Sequence, residues 1–246
     1  MKIIKRIFLL IVWTIFIMKN FVMTEIKSSL SGNKIIETMD QKLTFDEGEM
    51  WITIEDMKNN VVTKTLKSRI LYKKGKGTVM EFTFPAREKS KKILLVKDNM
   101  WLFVPGISKP VRLSAKDSFM GTSFSNRDMM DFELNNDYNA KILIETEKEY
   151  KIELSAINKN VPYPKVIVNI DKTTYLPIKQ DLYTVSDNLI KTIIFSDIKD
   201  LNGKVRPTTI RVKDILMQGN ETKVTLDKML EKSVDVTNFL PQNITR

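Results

Sequence analysis

The chain has 246 residues and a formal charge of +10, with neither cysteine nor histidine. Those two absences exclude disulfides, thiolate or imidazole metal sites, a cysteine nucleophile, Ser-His catalysis and a lipidated N-terminal cysteine. Four of the cations, Lys2, Lys5, Arg6 and Lys19, lie in the first 23 residues, where there is no acid. The remaining Lys and Asp/Glu are interleaved, without the basic helix or aromatic-basic array of a nucleic-acid binder.

The N-terminus, MKIIKRIFLLIVWTIFIMKN, is a basic start followed by an apolar run from Ile7 to Met18. That run suits a signal-peptide core and is short for a membrane span. Residues 1–23 are therefore expected to direct export to the periplasm. The alternative is an uncleaved anchor, because Val22-x-Thr24 is a poor cleavage site. Residues 24–246 contain no internal repeat or low-complexity linker and are expected to form a single domain.

In chain order, Ser31-Gly32-Asn33 provides cap-type residues ahead of Ile35, Ile36, Met39 and Leu43, which predicts one short amphipathic helix. Past Phe45 the period falls to two: Met50, Ile52 and Ile54, then Leu66, Ser68, Ile70 and Tyr72, then Met80, Phe82 and Phe84, each alternate with a second set. Turn signals such as Lys58-Asn59-Asn60, Lys74-Gly75-Lys76-Gly77 and Asn202-Gly203 separate these runs. Further strand-like segments follow to about residue 230. Many short strands with almost no helix between them predict a mainly β chain, an unclosed antiparallel barrel or strongly curved sheet of about 11 strands.

The stretch from Ser118 to Leu134 interrupts the strands. Ser125 or Asn126 is placed to cap a helix over 125–134, with Asp128 in its first turn. Asp128 and Asp131 read as a cap and a wet face, not a catalytic pair. Phe119, Met120, Phe124, Met129 and Met130 are large apolar side chains in a segment otherwise rich in Ser, Gly and Asn. A mobile loop that closes over a hydrophobic ligand would explain them; core packing explains them equally.

Seven runs, in order, carry a family resemblance: TFPA at 83–86, NMWLFVPGISKPVRLS at 99–114, SFMGTSFSNRDMMDFEL at 118–134, DYNAKILIE at 137–145, YKIELSA at 150–156, YLPIKQDLY at 175–183 and LIKTIIFSDIKDLNGKVRPT at 189–208. Together the sequence resembles the bacterial outer-membrane lipoprotein-sorting protein family, related to the periplasmic lipoprotein carrier LolA. The resemblance implies a LolA/LolB-like open barrel with short helices over its opening and a hydrophobic cavity for acyl chains. It also implies a monomeric carrier, without cofactor or enzymatic step, that receives an acylated lipoprotein or lipid from an inner-membrane donor transporter and gives it to an outer-membrane acceptor. The alternative within this fold is a lipid-sensing accessory or regulatory subunit docked on a membrane lipid transporter.

Strand parity assigns Met80, Phe82, Phe84, Leu95, Trp101 and Phe103 to the cavity wall, although the same parity serves an ordinary core. Phe119, Met120, Phe124, Met129 and Met130 would be the lid. Arg112, close to the expected mouth, is the candidate headgroup contact, with Lys109 beside it; a solvated strand edge is the simpler reading of both. No metal ligand set is expected.

Overall fold

A computed structural model describes residues 30–130 and 133–244. The expected export segment, Asp131 and Phe132 lie outside these residues. The first helix, α1 (Gly32–Leu43), starts where the cap residues place it: Ser31 Oγ accepts the Lys34 N–H at 3.2 Å. Its apolar positions Ile35, Ile36 and Met39 are all buried.

Thirteen antiparallel strands then form one sheet, where about 11 were expected. They are β1 (Glu47–Lys58), β2 (Val61–Lys73), β3 (Gly77–Phe84), β4 (Lys92–Val96), β5 (Asn99–Phe103), β6 (Val111–Leu113), β7 (Tyr138–Glu145), β8 (Glu149–Ala156), β9 (Lys165–Asp171), β10 (Pro177–Tyr183), β11 (Leu189–Leu201), β12 (Lys204–Asp214) and β13 (Asn220–Glu231). The spatial order runs β6-β5-β4-β3-β2-β1-β13-β12-β11-β10-β9-β8-β7, so β6 and β7 are free edges and the barrel does not close. The crossover is the segment from β6 to β7, which carries the chain from one edge to the other. It contains the helix α2 (Asn126–Met130); Glu133 and Leu134, expected within a helix over 125–134, are not helical.

The sheet curves around a core made of α1, the β6–β7 segment and the inward-facing side chains of the strands. Helix α1 packs on β7 and β12 and so crosses the opening. At β7 it approaches backbone to backbone: a Cβ on Gly32 would stand 2.7 Å from the Ala140 carbonyl oxygen. Asn33 Oδ1 accepts the Ala140 N–H at 2.6 Å, which occupies a donor on an edge strand that would otherwise be open to another chain.

The outer face of β2 to β5 is also buried. Leu71, Val79, Leu94 and Trp101 are successive cross-strand partners there. The C-terminal segment, with Val234, Phe239 and Ile244, closes over Val79, Leu94 and Phe103 as a second, smaller core. Its last turn is α3 (Pro241–Ile244). The sheet is consequently sandwiched at this end and single-layered elsewhere.

Candidate functional site

The β6–β7 segment lies against the concave face and is held by specific contacts. Ser125 and Asp128 cap α2 reciprocally, with the Ser125 N–H on Asp128 Oδ2 at 2.8 Å and the Asp128 N–H on Ser125 Oγ at 3.1 Å. Thr222 Oγ1 on β13 accepts the Ser123 N–H at 2.8 Å and itself donates to Asp56. Lys64 of β2 donates to the Met120 carbonyl at 2.6 Å. Phe119 is stacked on Phe82 with ring centroids 6.0 Å apart.

Between this segment, α1 and the sheet lies a cavity of about 210 Å³. Its roof is Phe124 and Met129 on one side and Met39 and Leu43 of α1 on the other. Its walls are Phe45 ahead of β1, Met50 and Ile52 of β1, Ile70 and Tyr72 of β2, Ile193 and Phe195 of β11, Ile210 of β12, and Val224 and Leu226 of β13. The lining is overwhelmingly aliphatic and aromatic, which is the character of a site for a hydrophobic ligand.

Two acidic side chains and one basic one reach this lining. Asp40 Oδ2 accepts the Asn135 N–H at 2.8 Å. Asp128 Oδ2 accepts the Tyr163 hydroxyl at 2.8 Å in addition to Ser125. Burial pushes the Asp128 carboxyl above the ordinary carboxylate range, and the Ser125 and Tyr163 donors only partly oppose it. Burial likewise pushes the Tyr163 phenol up, with the neighbouring Asp128 charge acting in the same direction.

The third is Arg206, which is 2% exposed. Its Nη1 donates to the Leu43 carbonyl at 2.7 Å, one of the acceptors left open at the C-terminus of α1. Its Nε and Nη2 are buried and have no hydrogen-bond partner among the described residues. Burial lowers its affinity for a proton, and Glu231 partly restores it.

Of the residues assigned from sequence, Phe124 and Met129 line this cavity. Met80, Phe82 and Leu95 are buried on the concave side as ordinary core. Phe84 is about half exposed. Trp101 and Phe103 face the other way, into the small core beneath the C-terminal segment. In β5 it is Met100 and Leu102 that point to the main core. Arg112 is exposed on the edge strand β6, where it donates to Asn99 Oδ1 at 2.7 Å. Of the other residues assigned to the lid, Phe119 and Met130 are fully buried and Met120 is half-buried.

Sequence reasoning passed over the contributions of α1, β1 and β12. The four-residue spacing of Ile35, Met39 and Leu43 and the alternation of Met50 and Ile52 were available signals for the first two. Arg206 offered none, since an arginine in a strand reads as solvated. Among the described residues no group of acids could hold a metal ion, and no helix is long and apolar enough to cross a membrane.

An unclosed antiparallel sheet wrapped over a helix and a folded-in crossover segment, with an apolar cavity between them, is a LolA-like fold. The architecture is similar to that of a LolA superfamily protein from Nitrosomonas europaea (TM-score 0.79, 24% identity, 87% of this chain and 99% of that one). It is also similar to a DUF1329 family protein from Desulfovibrio piger (TM-score 0.78, 21% identity, 87% and 97%). A third similar structure is a domain described as that of an outer membrane lipoprotein-sorting protein from Vibrio parahaemolyticus (TM-score 0.74, 21% identity, 87% and 98%). A family model described as "uncharacterized protein" matches residues 74–246, and the chain belongs to that family. No curated protein matches the sequence significantly.

Proposed function

We propose that the protein is a lipid or lipoprotein carrier of the periplasm: it takes acyl chains into the cavity roofed by Phe124, Met129 and α1, and passes them from a donor at the inner membrane toward the outer membrane. The observation that carries this reading is the apolar cavity on the concave face, bounded by a loop segment and not by the sheet alone. Each methylene transferred from water into such a site contributes about 0.8 kcal/mol. A chain of ordinary length is therefore bound well without any covalent step, and its release needs an acceptor of greater affinity. The fold shared with the lipoprotein-sorting domain and the LolA superfamily protein supports the same direction. The basic-apolar N-terminus supports export.

The test is native mass spectrometry of the protein isolated without detergent, followed by organic extraction. A stoichiometric acylated species is the expected result. A protein that is free of lipid and stays so when offered lipids and acylated peptides overturns the carrier reading.

A further inference from the structure

Arg206 stands out from every other cation of the chain's described part. Most ion pairs among the described residues are Lys-carboxylate contacts at least partly open to solvent, whereas Arg206 is sealed from solvent and forms none, Glu231 acting on it only from beyond ion-pair distance. One of its nitrogens is taken by the end of α1, and two buried nitrogens are left without an acceptor. A buried guanidinium without acceptors for its donors is costly, so such a group is expected to be completed by a ligand. Neither acid in the same lining is hydrogen-bonded to it: Asp40 accepts from Asn135 through Oδ2 and keeps a buried Oδ1, and Asp128 accepts from Ser125 and Tyr163.

The surroundings state what kind of anion would complete it. The lining that Arg206 shares is mostly apolar, with Leu43, Phe45, Ile210 and Leu226 among its members and Thr44, Gln180 and Thr208 as its neutral polar ones. A free inorganic anion would gain the guanidinium and leave this surface unused. An acyl chain ending in a carboxylate uses both. Volume narrows the choice further: a cavity of about 150 Å³ takes up one benzene-sized molecule, so about 210 Å³ holds a stretch of one chain and not several chains side by side.

We infer that Arg206 is the recognition residue for the acidic head of a single-chain amphiphile, with the carboxylate on Nε and Nη2 and the chain running between α1 and the sheet. This deepens the carrier reading and rests on it. The planar fork of arginine fits a carboxylate through two parallel hydrogen bonds, which a lysine at the same position does not reproduce.

The experiment is isothermal titration of the protein, isolated as the cell processes it and stripped of lipid, with sodium decanoate and with 1-decanol below their aggregation limits. Sodium acetate serves as the headgroup without the chain. The wild type is expected to bind decanoate at least about tenfold more tightly than decanol, the size of a charge-assisted hydrogen bond, and to show no affinity for acetate in the same range. Arg206→Met is expected to bind the two ten-carbon ligands alike, and Arg206→Lys to fall between. Equal binding of acid and alcohol by the wild type overturns the role of Arg206 and leaves the carrier reading intact. Binding of acetate as tight as that of decanoate overturns the coupling of chain and head. Failure of the wild type to bind either ten-carbon ligand overturns the carrier reading itself, and this inference with it. The wild-type comparison decides the matter even if Arg206→Met does not fold.

Discussion

Arg127 Nη2 lies 2.6 Å from Asp137 Oδ2, and both side chains are almost fully buried. The same guanidinium reaches Asp98 Oδ1 at 2.8 Å, and Asn158 donates to both carboxylates, at 2.7 Å to Asp137 and 3.2 Å to Asp98. This network ties α2 to the β4–β5 turn, to the start of β7 and to the loop after β8. The crossover segment is therefore anchored at α2 as well as at Met120 and Ser123.

Arg127→Ala should accordingly destabilise the fold by about 3 kcal/mol or more, the cost of leaving a buried carboxylate unpaired. Urea unfolding checks this, and Arg127→Ala/Asp137→Ala should be less damaging than the sum of the single changes. The arginine beside Asp98 holds that carboxyl below its ordinary range. Its folded value is lower than its unfolded one, so its contribution is present at neutral pH and is lost as pH falls through the folded value. The stability difference between wild type and Arg127→Ala should shrink on acidification.

Asp128 works in the opposite sense. Its folded carboxyl is raised by burial, so the native state holds the proton longer than the unfolded state does. Stability is then lost as pH rises from about 4, the ordinary aspartate value, toward the folded value. Asp128→Asn should remove that component, making unfolding free energy fall less steeply, or rise, over this window relative to wild type. Urea midpoints at several pH values between 4 and 7 measure it.

Phe119 and Phe84 separate core from surface. Phe119 is fully buried on Phe82 and Phe84 is 48% exposed. Phe119→Ala should cost about 3 to 5 kcal/mol, while Phe84→Ala should stay within about 0.5 to 1 kcal/mol. Comparable losses for the two would contradict the placement of the crossover segment.

The two faces of β5 lead to a binding prediction. Trp101 packs beneath the C-terminal segment, remote from the cavity lining. Trp101→Ala should leave decanoate affinity within about twofold of wild type, whereas Met129→Trp, which fills the roof, should abolish it. A displacement titration with a fluorescent fatty acid distinguishes these outcomes.

These residues also show what can be read from one sequence. The helix cap at Ser31, the alternation of β1 to β3 and the turn signals depend on neighbours within a few positions, and the β-rich open-barrel class followed from them. The face of β5 did not, because Met100, Trp101, Leu102 and Phe103 are apolar on both sides. Which side meets the cavity depends on residues 234–244 covering the other, a contact more than 100 positions away. The expected helix over 125–134 was too long for a related reason: Leu134 continues the apolar spacing, but Glu133 and Leu134 are outside any helix and the chain there turns to bring the Asp137 carboxylate to Arg127. Arg206 is legible only once the end of α1 is known to cross β12.

The central claim is that an acyl chain enters the space between α1, the crossover segment and the sheet. Methyl-labelled methionine NMR tests it directly, since Met39, Met50 and Met129 line that space and Met217 is exposed on the β12–β13 turn. Titration with decanoate should shift the Met39, Met50 and Met129 methyl signals together and saturably while Met217 stays in place. Shifts confined to Met217, or none at all, would contradict the account.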